Sequence, residues 1–252
     1  MSTPSPLAAR RSPLAARRSP LAARRSQRAA RLRGGDLLLV AELLAFVPPF
    51  GRPAPPAAGP AGGGGMIMRM KHIIRAVDAE DWPKIKQLRL DALLDPAAPI
   101  AFHDSYEKAA AQPDEFWQER AAGAAEGVAA RQFVAEAADG RWLGTVSVLV
   151  EHAGTATFFG DVPEQAQTHV VGVFVRSEAR GSGVAQGLFE AALDWSWSLA
   201  EPRVERVRLF VHEANGRAGA MYRKTGFEPT GHHLPAPGDG TAREIELAVR
   251  RG

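Results

Sequence analysis

From Ile73 onward, apolar positions follow two periods, and the switches between them mark strands and helices. Residues 73–76 read as a short strand. Trp82, Ile85, Leu88 and Ala92 recur at spacings of three and four, which predicts a helix over 79–94. Leu93 widens its face and Asp95-Pro96 ends it. A second, broken helical region over 102–122 is anchored by Phe102, Tyr106 and Trp117. Residues 132–137 and 142–151 read as strands joined through Ala138-Asp139-Gly140, a hairpin signal. A loop over 158–167 precedes a strand over 169–175. A turn over 176–180 then leads through Gly181–Gly183 into a helix ending near Ala200, with Val184, Leu188, Trp195 and Leu199 along one side. Residues 206–212 form a strand. Residues 218–225 form a short helix closed by Gly226, and the last strands start at Phe227 and Ile245. The order β-α-α-β-β-β-α-β-α-β-β predicts one α/β (α+β) domain with a mixed, largely antiparallel sheet, because the two hairpins cannot be parallel.

Upstream of residue 66 this patterning is absent. Ser-Pro-Leu-Ala-Ala-Arg-Arg repeats three times from Ser5 to Arg25. Each copy holds one strong apolar residue beside a proline, so it supplies neither a continuous helix nor a coiled-coil seam. The reading is a disordered leader. Residues 37–47 form an apolar run interrupted by Glu42, too short to span a bilayer. It resembles a signal peptide superficially, but no clean small-x-small cleavage site follows. Residues 48–65 read as linker. Met66, Met68 and Met70 then cluster where globular sequence begins, which also fits a start assigned upstream of the true one. The expected organisation is a leader over 1–65 and a single domain over 66–252.

Charge divides at the same boundary. The 252-residue chain carries a net +3. Residues 1–65 hold ten arginines against Asp36 and Glu42, a net +8, and the remaining 187 hold 21 bases against 26 acids, a net −5. A basic leader thus precedes an acidic body. Clustered arginine suits phosphates, but no helix-turn-helix is legible in the body. The chain has no cysteine. That excludes a disulfide scaffold, a thiolate nucleophile and a cysteine-ligated metal, and fits a reducing compartment.

The chemistry concentrates where a strand meets Arg180-Gly181-Ser182-Gly183-Val184-Ala185 and a helix follows. Glycine lets the backbone adopt dihedrals that other residues resist. A helix start leaves N–H groups unpaired, and its dipole favours an anion such as a diphosphate. A tight turn before a helix is the plain alternative. No Gly-Lys-Ser/Thr follows, so this is not a Walker loop. With its third glycine as late as Gly187 it is a poor dinucleotide fingerprint.

The stretch Val173-Phe174-Val175-Arg176-Ser177-Glu178-Ala179-Arg180-Gly181-Ser182-Gly183-Val184-Ala185 resembles the acetyl-CoA-binding motif of the GCN5-related N-acetyltransferase (GNAT) family. Arg180, Gly183 and Ala185 fill its Arg/Gln-x-x-Gly-x-Gly/Ala positions. A second match follows in order: Leu209-Phe210-Val211, Asn215, Ala218, Tyr222 and Gly226-Phe227. The two motifs span 170–231, and the strand order covers about 70–250. The resemblance implies a GNAT-like sheet with helices on both faces. It implies acetyl-CoA as cosubstrate and an N-acetyltransferase that moves the acetyl group directly to an amine. The alternative is a coenzyme-binding regulatory domain without catalysis.

The family pattern also implies roles. The amides of Gly181, Ser182, Gly183, Val184 and Ala185 would hold the diphosphate, with Arg180 adding charge. Val173, Phe174 and Val175 would pair with the pantetheine arm, beside a bulge that Gly172 tolerates. An N–H near Phe174 would polarise the thioester carbonyl. Tyr222 would protonate the departing thiolate, its plain reading being a packing tyrosine at a helix end. Asn215 would contact the pantetheine arm and cap the last helix. His169 is the candidate general base, with Glu136 and Glu151 as further candidates and a water chain as the alternative to any side chain.

The acceptor site is expected from the first helical region and the loops around 102–106, 158–161 and 232–233. His232 and His233 are neighbours in sequence, so a strand points them to opposite faces, and no metal is expected. The acidic body favours a cationic amine, of a small molecule or peptide. No nucleic acid and no membrane is expected as partner, a homodimer is allowed, and the expected compartment is the cytoplasm.

Overall fold

The computed structural model describes residues 72–157, 159–237 and 241–252. The arginine-proline repeat, the apolar run 37–47 and the linker lie outside these residues, as do Phe158 and 238–240.

Strand β1 (His72–Ala76) leads through a 3-10 turn, Ala79–Asp81, into helix α1 (Trp82–Leu93). Asp78 and Asp81 form a capping box there, and Pro83 occupies the first turn of α1, where a missing N–H leaves no bond unmade. The broken helical region is two helices. Ser105 Oγ accepts from the Lys108 amide and starts α2 (Tyr106–Ala110). Pro113, extended, then starts α3 (Asp114–Glu126), which ends on Gly127 at φ 65°. Strands β2 (Ala130–Ala137), β3 (Trp142–Glu151) and β4 (Gln167–Val175) follow. After them come α4 (Val184–Ser198), β5 (Arg206–His212), α5 (Gly216–Lys224), β6 (Glu228–Pro235) and β7 (Arg243–Arg250).

The seven strands form one sheet in the order β1-β2-β3-β4-β5-β7-β6. Every pairing is antiparallel except β4 with β5. Side chains alternate between two cores, as a pleated strand covered on both faces requires. Phe133 and Ala135 pack with Leu188, Phe189 and Ala192 of α4. Val134, between them, packs with Leu88 of α1 and Trp117 and Ala121 of α3. The largely antiparallel sheet with helices on both faces is therefore observed.

Two departures from regular pairing position the site. The β3–β4 register shifts between Thr145, opposite Phe174, and Ser147, opposite Val171. Gly172 and Val173 thus lie across from Val146 alone, and Gly172 takes φ 61°. The parallel pairing of β4 with β5 has only three partners, Gln167–Arg206, Thr168–Val207 and His169–Arg208. Beyond His169 the two strands separate.

Candidate active site

The separation of β4 from β5 opens a cleft of about 620 Å³. Three rings fill its crotch: Phe159 lies 5.1 Å from His169 and 5.3 Å from Phe210, and His169 lies 5.5 Å from Phe210, centroid to centroid. Bulky aromatic contact at the last paired residue gives a packing reason for the strands to part there. From Val170 to Val175 the edge of β4 facing the cleft has no strand partner.

At one end of the cleft the chain turns through Ser177–Ala179 and enters α4. Gly181 and Gly183 take φ 80° and 93°, and a Cβ at either would meet nothing within 4 Å. These glycines therefore serve backbone conformation and not close packing. Among the described residues, the amides of Gly181, Gly183, Val184 and Ala185 reach no backbone carbonyl, and the first helical bond runs from Gly187 N to Gly183 O. The Ser182 amide points back to the Ala179 carbonyl at 3.4 Å, and its hydroxyl donates to the same oxygen at 2.7 Å. Ser182 is thus turned inward, and the Val184 side chain is fully buried in the core. Neither lines the cleft, whereas Val173, Phe174, Val175, Arg180, Gly181, Gly183, Ala185 and Asn215 do.

The expected free charge of Arg180 is spoken for. Its Nη2 pairs with Asp95, and its Nε donates to the Val175 carbonyl at 2.9 Å. It fastens the loop after α1 to the end of β4. Unpaired positive charge in the cleft comes instead from Arg217 and Lys224 of α5, which line it without an ion pair among the described residues. Asn215 caps α5, its Oδ1 accepting from Ala218 N at 3.2 Å.

Tyr222 projects from α5 into the cleft and is 8% exposed. Its ring stacks 5.4 Å from Phe189, and its hydroxyl has no hydrogen-bond partner among the described residues. Burial, reinforced by the negative charge of Glu244, pushes this phenol above its ordinary pKa. Tyr222 is a protonated donor facing the cleft.

The three candidate bases separate clearly. Glu136 bonds Arg75 at 2.6 Å and Lys84 at 3.4 Å and does not line the cleft. His169 does line it, with Nδ1 3.0 Å from Glu151 Oε1. Glu151 stands behind the ring, gripped by Arg208 at 2.8 Å and by Gln167 Nε2 at 2.5 Å. Burial alone would raise this carboxyl, but the His169 ring and the Arg208 guanidinium outweigh it and hold its pKa down to about 2. Arg208, 1% exposed, also meets Asp161 and Glu246. An ionised Glu151 on Nδ1 fixes the ring and leaves Nε2, which has no partner among the described residues, for the cleft.

Three further side chains were not singled out by the sequence reading. Glu244 of β7 is buried at the cleft wall, 3.3 Å from His103 Nε2. Arg89 of α1 reaches the same space. The available signal was faint: Glu244 and Glu246 alternate with Ile245 and Leu247, so both acids share one face of the strand, and both are buried.

A family model described as "Acetyltransferase (GNAT) family" matches residues 89–227, which include β4, the glycine turn, α4, β5 and α5. The chain belongs to the acetyltransferase (GNAT) family. Solved GNAT structures share the fold. An acetyltransferase of the family from Streptococcus pneumoniae is 15% identical over 72% of this chain and all of its own, with a TM-score of 0.56. A GCN5-related N-acetyltransferase from Kribbella flavida is 21% identical over 71% of this chain and 98% of its own, TM-score 0.52. NAA60 of Arabidopsis thaliana, in complex with acetyl-CoA, is 16% identical over the same shares, TM-score 0.52. No curated protein matches the sequence. Among the described residues, no helix of this GNAT chain is long and apolar enough to cross a membrane.

Proposed function

We propose that this GNAT protein transfers an acetyl group from acetyl-CoA directly to a primary amine of a small molecule or peptide. The observation that carries the reading is the fork between β4 and β5. One cleft there gathers an unpaired strand edge, free helix-start amides, a protonated tyrosine and a carboxylate-held histidine. These residues fit acetyl-CoA. The amides of Gly181, Gly183 and Ala185, which line the cleft, suit a diphosphate, with Arg217 and Lys224 as further cations in the lining. The free edge from Val173 to Val175 suits an amide-bearing arm that hydrogen-bonds as a strand does. Asn215, after β5, lines the same cleft.

When bound, acetyl-CoA supplies a thioester carbonyl carbon that takes the amine nitrogen as its C–S bond breaks. His169 accepts the proton that the amine loses, through Nε2, while Glu151 holds Nδ1. A β4 amide near Phe174 polarises the carbonyl oxygen. Tyr222 gives its proton to the departing sulfur and recovers one from solvent. With no cysteine in the chain, the transfer is direct. The working domain is residues 66–252, the leader 1–65 plays no part in the chemistry, and the compartment is the cytoplasm. The test is thiol release from acetyl-CoA with a panel of amines, read also by product mass, on the full chain and on 66–252. Tight acetyl-CoA binding without release for any amine would make the protein a coenzyme-binding domain and not an enzyme.

A further inference from the structure

The acceptor side of the cleft carries a charge arrangement that the transfer reaction by itself does not call for. Arg89 lies in the cleft wall with its side chain 10% exposed. Its Nη2 donates to Asp104 Oδ2 at 3.2 Å, and its guanidinium sits 4.7 Å over the Phe102 ring. Its Nε and Nη1 have no hydrogen-bond partner among the described residues. Arg120 of α3 stands close enough for the two guanidiniums to repel. Burial, with that repulsion, pulls its pKa down to about 10 even though Asp104 opposes the shift. Arg120 makes no ion pair of its own among the described residues.

Asp104 thus pairs with Arg89 alone, while Arg120 adds a second positive charge to the same neighbourhood. Asp91 and Asp95 are committed to Arg176 and Arg180. The open Arg89 donors reach the solvent of the cleft, where an anion can replace water on them. The flat fork of a guanidinium matches a carboxylate bidentately.

The opposite charge lies one residue away. Asp104 holds Arg89, and its neighbour His103 holds Glu244, so a single loop presents a cation on one side and an anion on the other. Glu244 lines the same cleft as Tyr222, the proposed proton donor. An acceptor whose amine is drawn toward Glu244 would therefore present its far end toward Arg89.

We propose that the acceptor is an amine that itself carries a carboxylate, an amino-acid-like small molecule, and that Arg89 binds the carboxylate. This inference rests on the transferase reading above and narrows its substrate class. The test compares aliphatic and aromatic amino acids, each paired with the amine that lacks only the carboxylate, under saturating acetyl-CoA. One charge-assisted bidentate contact predicts a kcat/KM preference of about 10- to 100-fold for the carboxylated partner. Arg89→Lys, which keeps the charge and loses the fork, should shrink that ratio, and Arg89→Met should bring it to about one.

Equal rates for the paired amines in the unmodified protein would overturn the proposal, as would a preference that survives both substitutions. A preference for succinyl-CoA over acetyl-CoA with plain amines, lost on Arg89→Met, would assign the carboxylate to the acyl group instead and would also overturn it. Calorimetric titration of the same paired amines into the coenzyme A-bound protein reads binding without turnover. If no amine is acetylated, the transferase reading fails, and this titration alone decides the carboxylate site, in favour if only carboxylated partners bind and against if neither or both do.

Discussion

Replacing Tyr222 by phenylalanine is a sharp probe of the site because the structure separates its catalytic consequence from its structural one. The hydroxyl has no hydrogen-bond partner among the described residues, and the ring contact with Phe189 at 5.4 Å survives the change. Removing an unpaired hydroxyl strands no partner, so stability should move by no more than roughly 0.5 kcal/mol. The chemical step is different. A positioned general acid contributes on the order of 10²- to 10⁴-fold, equivalent to about 3–5 kcal/mol of barrier. Tyr222→Phe should therefore lower kcat and kcat/KM together by at least about 100-fold while the unfolding midpoint stays put.

The pH profile adds a check on sign. Burial and the Glu244 charge raise the phenol above its ordinary value of about 10. The donor thus keeps its proton through the neutral and mildly alkaline range, and activity should not fall between pH 8 and 9.5 through loss of this proton. The assay is thiol release under saturating acetyl-CoA, from pH 6 to 10, for both proteins. A Tyr222→Phe protein that retains kcat within twofold would refute the assignment of Tyr222 as the acid.

Other parts of the site make separate predictions. Glu151 has a folded pKa of about 2 against an ordinary 4.5, so its charged form contributes on the order of 3 kcal/mol, fully present above about pH 5 and lost as pH falls through about 2. The stability gap between the unmodified protein and Glu151→Gln, from urea midpoints at stepped pH, should be open at pH 7 and narrow steadily below pH 4.5. A gap independent of pH would refute this. Gly144 faces the β3–β4 bulge, and a Cβ there would stand 2.6 Å from the Phe174 carbonyl oxygen. Gly144→Ala should cost about 1–3 kcal/mol, a drop of several degrees in Tm, and an unchanged Tm would show that β4 is free to shift. The double substitution Arg217→Ala and Lys224→Ala should raise the KM for acetyl-CoA several-fold and flatten its dependence on salt. Loss of kcat alone would argue against these two side chains as the phosphate contacts.

What could be read from the chain, and what could not, divides along the range of the interactions. Strands β3 and β5 fall where runs of β-forming residues place them, at Trp142–Glu151 and Arg206–His212. The turn into α4 announces itself through glycines that need positive φ, a local requirement written in the residues themselves. The split of the 102–122 region at Pro113 was visible only as a break, because whether a short helix such as α2 forms depends on its Ser105 cap and its packing on α1. A strand starting at Phe227 is expected and β6 is observed from Glu228, yet nothing in its own pattern sets its extent. Glu228–Pro235 is exposed nearly throughout and lacks an apolar face, so its extended form comes from pairing with β7 and not from its own pattern.

The site obeys the same rule. Motif matching assigns Arg180 a free charge, yet a carboxylate 85 positions earlier, Asp95, neutralises it. The same pairing turns Arg180 into a tie between the loop after α1 and the end of β4, the ends proposed above for acceptor and coenzyme. Asp91 and Arg176 repeat the tie one turn earlier on α1, with Arg176 Nε also bonded to the Trp142 carbonyl at 2.8 Å. Helix α1 carries Arg89 two residues before Asp91, within the same turn. Its placement over the cleft is therefore set by the segment that also forms the glycine turn, and the proposed acceptor contact is registered against the proposed diphosphate cradle by two salt bridges rather than by the loop alone. In a direct transfer, where rate depends on holding amine and thioester in one geometry, that shared anchoring is what a rigid cleft supplies.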